Sequence, residues 1–259
     1  MNQSYSEMKK SKIAISLDKS LLDEIDKRVD GKVIRSRSQA MEVFLRKGLF
    51  ETEIKTAVIL LRGNHQQHSI TEVEGKSLIK KQIEFFAKHG IEKVFVLTQK
   101  SESSLKFMKE IADAKLPVEV FEDDAKGNGH ALWKLKNHLK EPFVLISGDT
   151  YNEFDLSKMV RKFLSSPQLA IMGLMSRNKG NIYGIAILDG DLIVDFTEKP
   201  PQSDYFVVNA GIYCMKPEIF SEMQETTKSL EKELFPKLAK EKQLLGFFTH
   251  GVYQHFTGE

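Results

Sequence analysis

From Thr56 onward, short apolar runs alternate with stretches of helical periodicity, and this alternation limits the fold more than any other feature of the chain. The runs are Ala57 to Leu61 (AVILL), Val94 to Thr98 (VFVLT), Val118 to Phe121 (VEVF) and Phe143 to Ser147 (FVLIS). Strands that alternate with helices in this way read as βαβ units, a mostly parallel sheet with helices on both faces. After Gln168 the pattern changes to strands joined by tight turns, such as ILDGDLIV around Asp189-Gly190. A helical stretch, SLEKELFPKLAKE, precedes a last short strand pair. No apolar run approaches the roughly 20 residues of a membrane span, and the polar start MNQSYSEMKKSK lacks the apolar centre of a secretory signal. The one cysteine, Cys214, lies in the apolar run VVNAGIYCM and reads as a buried core thiol, which fits a reducing cytoplasm. With 38 basic against 36 acidic residues, any surface for nucleic acid must be local.

The first fifty residues follow other rules. Lys12 to Leu17 (KIAISL) alternates, with Ile13, Ile15 and Leu17 on one side and Lys12, Ala14 and Ser16 on the other. A lone strand with one apolar face needs a partner, and the nearby sequence offers none, so the same strand of a second copy is the simplest solution. Ser20 can cap a first helix with Asp23 in its first turn and Leu22, Ile25 and Val29 as its apolar stripe. Gly31 breaks it. Ser36, with Gln39 three residues on, forms a capping box for a second helix whose inner face carries Ala40, Met41, Phe44, Leu45 and Gly48.

Strand, helix, turn, Ser-Arg-Ser and helix in this order resemble the ribbon-helix-helix family of DNA-binding proteins over roughly Lys9 to Leu49. The resemblance implies a homodimer whose paired strands enter the major groove of double-stranded operator DNA, with Lys12, Ala14 and Ser16 toward the base edges. It also implies that Ser36, Arg37 and Ser38 clamp a phosphate, while Lys9, Lys10 and Arg35 add non-specific charge. The expected organisation is a tail at 1–8, a ribbon-helix-helix domain at 9–50, a short linker at 51–55 and a large domain at 56–259. A tetramer through the large domain stays open.

From Lys55 the chain resembles the sugar-nucleotide pyrophosphorylases, nucleotidyltransferases with a Rossmann-like (GT-A-like) core and a mixed, mostly parallel sheet. The pieces that carry the resemblance, in order, are KTAVILLRG, GKSLIKKQIEFFAKHGIEKVFVLT, GNGHALW, FVLISGDT, YGIAILDGD, FTEKPP, VVNAGIYCMKPEIF and SLEKELFPKLAKE. Such enzymes join a nucleoside triphosphate to a sugar 1-phosphate and release pyrophosphate. The resemblance implies a base-binding turn at Gly127, Asn128 and Gly129, a metal-binding carboxylate at Asp149, and a sugar side built from Tyr183, Gly184, Glu198, Lys199, Asn209 and Gly211.

The family's glycine-rich phosphate loop is altered here. Only Gly63 keeps a glycine position in Leu61-Arg62-Gly63-Asn64-His65-Gln66-Gln67, with Arg62 as the nearby charge and Gln67 where the family has arginine. His255 stands where a second metal-binding aspartate belongs, and imidazole suits magnesium poorly. His65, His68 and His130 match no metal motif and read as loop and cap residues. The sequence alone therefore points to a DNA-binding regulator whose catalytically degenerate domain senses a sugar phosphate, nucleotide sugar or nucleotide. On that reading no cofactor is required, and magnesium enters only with a bound nucleotide. The alternatives are an active sugar-1-phosphate nucleotidyltransferase that also regulates its own operon, and a scaffold without ligand.

Overall fold

The computed structural model describes residues 13–32, 34–50, 53–61, 66–122, 124, 126–178, 180–202, 204–248 and 251–256. It divides into two compact units, Met1–Glu51 and Thr52–Glu259. Among the expected site residues, Lys12, Arg62 and Gly63 lie outside the described residues, as do Lys9, Lys10 and His65.

The first unit holds two helices, α1 (Lys19–Asp26) and α2 (Arg37–Phe50). The N-cap of α1 is Asp18, whose carboxylate accepts from the Ser20 N–H at 2.9 Å and the Ser20 hydroxyl at 2.8 Å. Ser20 therefore lies inside the helix, and the expected cap sits two residues too late. An ionised carboxylate is the stronger acceptor for the free N–H groups of a first turn. Ser36 does serve α2, since the Gln39 N–H donates to its Oγ at 3.2 Å. Gln39 Oε1 reaches one residue further back than a capping box requires and accepts from the Arg35 N–H at 2.8 Å. Arg37 forms a fork with Asp26 (2.7 and 2.5 Å) that ties the two helices together. Its guanidinium is thus engaged by a carboxylate within the unit. Residues 13–17 form no strand. Strand geometry needs a hydrogen-bonding neighbour, and the chain supplies none, so Ile13 (76%), Ile15 (53%) and Leu17 (37%) stay exposed. Ala14 and Ser16 lie in this exposed stretch.

In the second unit, the four apolar runs form β1 (Thr56–Leu60), β4 (Lys93–Thr98), β5 (Val118–Glu122) and β6 (Phe143–Ser147). All pair in parallel, in the order β5-β4-β1-β6. Between them lie α3 (Gln66–Ser69), the hairpin β2 (Glu72–Val73) and β3 (Lys76–Ser77), then α4 (Leu78–Lys88), α5 (Ser104–Ile111) and α6 (Asn128–Lys134). The short β7 (Thr150–Asn152) and α7 (Leu156–Leu164) follow β6. The second half adds β8 (Ala170–Ser176), β9 (Gly184–Asp189), β10 (Leu192–Glu198), β11 (Val207–Met215), α8 (Phe235–Lys240), β12 (Leu244–Phe248) and β13 (Tyr253–His255).

The sheet is mixed rather than mostly parallel. Beyond β6 it runs β11-β8-β12-β10-β9, and in this half only β8 and β12 pair in parallel. Hairpin connections such as the turn at Gly190 (φ 59°) return the chain antiparallel, whereas the first half crosses over through helices. The last two strands do not pair with each other. The apolar β12 is inserted between β8 and β10, and the more polar β13 pairs with β7.

Alternation along each strand sends side chains to two cores. Ala57 and Ile59 meet Ile79, Ile83 and Phe86 of α4, Phe107 of α5 and Phe163 of α7 on one face. Val58 meets Leu132 of α6 and Phe235 and Leu238 of α8 on the other. No helix among the described residues is long and apolar enough to cross a membrane.

Candidate functional site

The site is built around the turn that ends β6. Parallel order runs outward from β1 in both directions, to β4 on one side and β6 on the other, so a crevice opens beyond the carboxyl ends of β1 and β6. Asp149 stands in this turn. The Gly148 N–H donates to Leu60 O at 2.7 Å, and a Cβ on Gly148 would lie 2.8 Å from Leu61 Cδ1, so glycine is what lets the turn lie against β1. Asp149 O accepts from the Phe256 N–H at 2.7 Å, and its Oδ2 lies 3.6 Å from Nε2 of His255.

The sugar-side residues converge on the same turn. In β11 the register against β8 shifts between Asn209 and Tyr213, a bulge that contains Gly211 in the left-handed region (φ 69°). A Cβ on Gly211 would press on Ser147 Oγ at 3.3 Å, which places the bulge beside the end of β6. Asn209 Oδ1 accepts from the Gly211 N–H at 2.9 Å, and its Nδ2 donates to the Tyr213 hydroxyl at 2.7 Å, so its side chain is held rigid. Tyr213 is buried, and burial pushes its phenol well above the usual range.

Lys199 is one of three non-glycine residues with positive φ among the described residues (φ 45°). Strain of this kind persists only where neighbours hold it, and here the Lys199 N–H donates to Tyr183 O at 3.0 Å. Its side chain is exposed. Gly184 lies tight against β10, since a Cβ there would meet Phe196 at 2.4 Å and Glu198 Oε2 at 2.6 Å. The rings of Tyr183 and Tyr253 lie 6.4 Å apart, and the Arg177 guanidinium sits 5.2 Å from the Tyr253 ring centre. Asp149, His255, Tyr253, Tyr183 and Lys199 are therefore linked in one run of neighbours, with Asn209 and Gly211 joined to it through the end of β6.

The glycine turn has a second employment. A Cβ on Gly127 (φ 133°) would fall 2.1 Å from Lys228 O, and one on Gly129 would fall 2.9 Å from Thr227 O. Asn128 donates to both carboxylate oxygens of Glu231 at 2.8 Å and accepts from the Leu230 N–H at 3.0 Å. The Asn128 side chain thus fastens the start of the π-helical turn Leu230–Leu234. Sequence reasoning missed Glu231, Tyr213, Tyr253 and Arg177. Only a long-range pairing pattern would have marked them, because each acts on a residue distant in the chain or across a bulge.

Metal binding reduces to one hard oxygen ligand. Among the described residues no group of three or more His, Cys, Asp or Glu side chains could cage an ion. Magnesium, however, keeps waters and phosphate oxygens and needs only one or two carboxylates. Asp149 fits that pattern, with an ion carried in by a phosphate-bearing ligand.

The Glu198 carboxyl is altered by its surroundings. Burial first, and then the nearby Glu231 carboxylate, push its carboxyl above the usual range, and Lys199 and Lys232 only partly offset this. Folding therefore favours its protonated form. The resulting cost is absent at pH values below the ordinary carboxylate range, grows as pH rises through the raised value, and is complete above it. Glu198→Gln should accordingly melt higher than the wild type at pH 8, with the gap closing as pH falls toward 4.5. A gap that is constant across this range in thermal melts would refute the assignment.

Comparison with known proteins agrees with this geometry. The family model for nucleotidyl transferases matches residues 64–253. Mannose-1-phosphate guanylyltransferase 1 of Arabidopsis thaliana is 25% identical over 194 residues, covering 71% of this chain and 54% of that protein. The mannose-1-phosphate guanylyltransferase catalytic subunit beta of Drosophila pseudoobscura pseudoobscura is 27% identical over 192 residues, with 71% and 52% covered. The chain thus spans about half the length of the curated relatives it matches. A UDP-glucose pyrophosphorylase complexed with UDP-glucose superposes with a TM-score of 0.61 at 19% identity, covering 77% of this chain and 92% of that one. The inositol-1-phosphate CTP transferase of T. maritima gives 0.63 at 17% identity, with 78% and 89% covered.

These matches overturn the expectation of a DNA-binding regulator with a silent sensor domain. The relatives are named as enzymes, and nothing in the matches supports a ribbon-helix-helix module or an operator partner. Loss of catalysis was inferred from missing glycines, but phosphate is cradled by backbone N–H groups, which every residue except proline carries. The match runs from residue 64 to residue 253, which takes in Asp149, Tyr183, Gly184, Glu198, Lys199, Asn209 and Gly211, and the chain belongs to the nucleotidyl transferase family.

Proposed function

We propose that this protein is a sugar-1-phosphate nucleotidyltransferase. A phosphate oxygen of the sugar 1-phosphate attacks the α-phosphorus of a nucleoside triphosphate. A new P–O bond forms, the bond to the β-phosphate bridge oxygen breaks, and pyrophosphate leaves with its electron pair. The observation that carries this reading is the run of neighbours that ties Asp149 to Lys199 through His255, Tyr253 and Tyr183. Transfer between two anions needs positive charge on one side and a metal-binding carboxylate on the other, held at fixed separation.

In this reading Lys199 draws the sugar phosphate into line, its backbone fixed by the Tyr183 carbonyl. Asn209, rigid against Tyr213, and the backbone at Gly184 meet the sugar hydroxyls. Glu198 stands behind Gly184 and limits the size of that subsite. Asp149 would hold a magnesium ion, which neutralises phosphate charge when bound with the nucleotide. His255 braces Asp149. The phosphate-side residues Arg62 and Gly63 and the turn Gly127 to Gly129 are assigned to the nucleotide. The setting is cytoplasmic, where both substrate classes are found.

The test is pyrophosphate release from a panel of nucleoside triphosphates and sugar 1-phosphates with magnesium, beginning with GTP and mannose 1-phosphate. Turnover with at least one pair is expected. Lys199→Ala should lower kcat/KM for the sugar phosphate on the order of a hundredfold, as loss of one charged contact in a transition state does. No release with any pair, or an unchanged Lys199→Ala enzyme, would sink the reading.

We further propose that the N-terminal unit is completed by a second copy of the chain. Ile25 and Ala40 are the buried hydrophobic residues among its described positions, far less core than about fifty residues need to fold alone. Ile13, Ile15 and Leu17 stand exposed at alternate positions, a pattern that is complementary to itself. Light scattering should give a dimer, and Ile15→Lys should give a monomer with the pyrophosphate assay unaffected. A monomeric wild type at assay concentration would dismiss the proposal.

A further inference from the structure

Gln82 is an amide in an apolar place. It lies on α4, 1% exposed, on the helix that also buries Leu78, Ile79, Ile83 and Phe86. Its Nε2 donates both hydrogens across to the β6 turn, to Ser147 O at 3.1 Å and Thr150 O at 2.6 Å. Those two carbonyls bracket Gly148 and Asp149. Its own Oε1 is buried and has no partner. A buried carbonyl without a donor is a cost to stability, and an apolar side chain of the same shape would avoid it. The two donors therefore explain the residue, and the acceptor does not.

The turn has other anchors, and they leave one gap that Gln82 fills. Gly148 N is held by Leu60 O, Asp149 O by Phe256 N, and Ser147 O by the Thr150 hydroxyl at 3.0 Å as well as by Gln82. Pairing with β13 holds β7 from one side, and Gln82 is the donor to Thr150 O from the α4 side, where the turn ends. Loss of this donor would loosen the turn on its α4 side, directly behind the Asp149 carboxylate. We propose that Gln82 is a positioning residue that fixes the direction of the Asp149 carboxylate from behind, without touching substrate. This rests on the nucleotidyltransferase reading above for its effect on rate, though not for its effect on the turn.

Two readouts test it on the full chain. In Gln82→Met, hydrogen exchange followed by mass spectrometry should quicken at least tenfold across residues 148–152 and stay unchanged in α7 and β8. Its melting temperature should stay within a few degrees of the wild type. In the pyrophosphate assay kcat should fall at least tenfold while KM for the sugar phosphate changes less than twofold. Gln82→Glu is the second variant, in case the first does not fold. Its carboxylate faces two carbonyls and should cost activity that returns in part as pH is lowered, because the protonated acid can donate. Unchanged exchange at 148–152, or exchange that quickens equally throughout the large unit, overturns the assignment. So does a Gln82→Met enzyme with wild-type kcat. If the wild type turns over no substrate pair, the nucleotidyltransferase reading falls, and the exchange comparison still decides whether Gln82 fixes the turn.

Discussion

The close approach of the β6 turn to the end of β1 is the constraint on which the rest of the site depends. Gly148 has no side chain because Leu60 and Leu61 occupy that space, and its N–H is taken by Leu60 O. Once the turn is pressed there, Asp149 is delivered to the crevice at the switch point of the sheet. Gly211 repeats the device from the other side, where its bulge lies against Ser147. One glycine in the turn after β6 and one in its antiparallel neighbour β11 thus bring the carboxylate and the sugar-side asparagine together. Function here is set by backbone proximity first and by side-chain chemistry second.

The first half of the large unit was legible because its physics is local. FVLIS is β6 to the residue, VFVLT misses β4 by a single residue at its start, and AVILL is shifted one residue from β1. Each run is apolar on both faces because helices cover both, which is what a parallel strand demands. The second half was less legible. Nothing in LLGFF says that it will enter between β8 and β10, because that placement is decided by which gap in the sheet remains open. The hairpin at Gly190 was readable from its turn residues, while the partner of β13 was not.

The site was legible as a set of residues and not as a set of contacts. Asp149, Lys199, Asn209 and Gly184 were picked out by their order along the chain. Their supports (Tyr213 under Asn209, the Tyr183 carbonyl under Lys199, Gln82 behind Asp149) come from elsewhere in the chain or across a bulge and left no local signal. Two inferences failed for a related reason. The alternation of Ile13, Ile15 and Leu17 predicted a strand, but alternation describes a face and does not supply the partner that makes a strand. In the phosphate loop, side chains in place of glycines were read as keeping the backbone from phosphate, and the nucleotidyl transferase match overturns the loss of catalysis inferred from them.

The central claim is that Asp149 and Lys199 face one ligand across one crevice. A crystal structure with a bound nucleotide sugar tests it most directly. The account predicts the diphosphate between the Asp149 carboxylate and the Lys199 ammonium, with the sugar against Asn209 and the Gly184 backbone. Electron density for the ligand elsewhere, for example in the charged hollow between α4 and α5 lined by Lys76, Lys80 and Lys115, with the crevice empty, would contradict it.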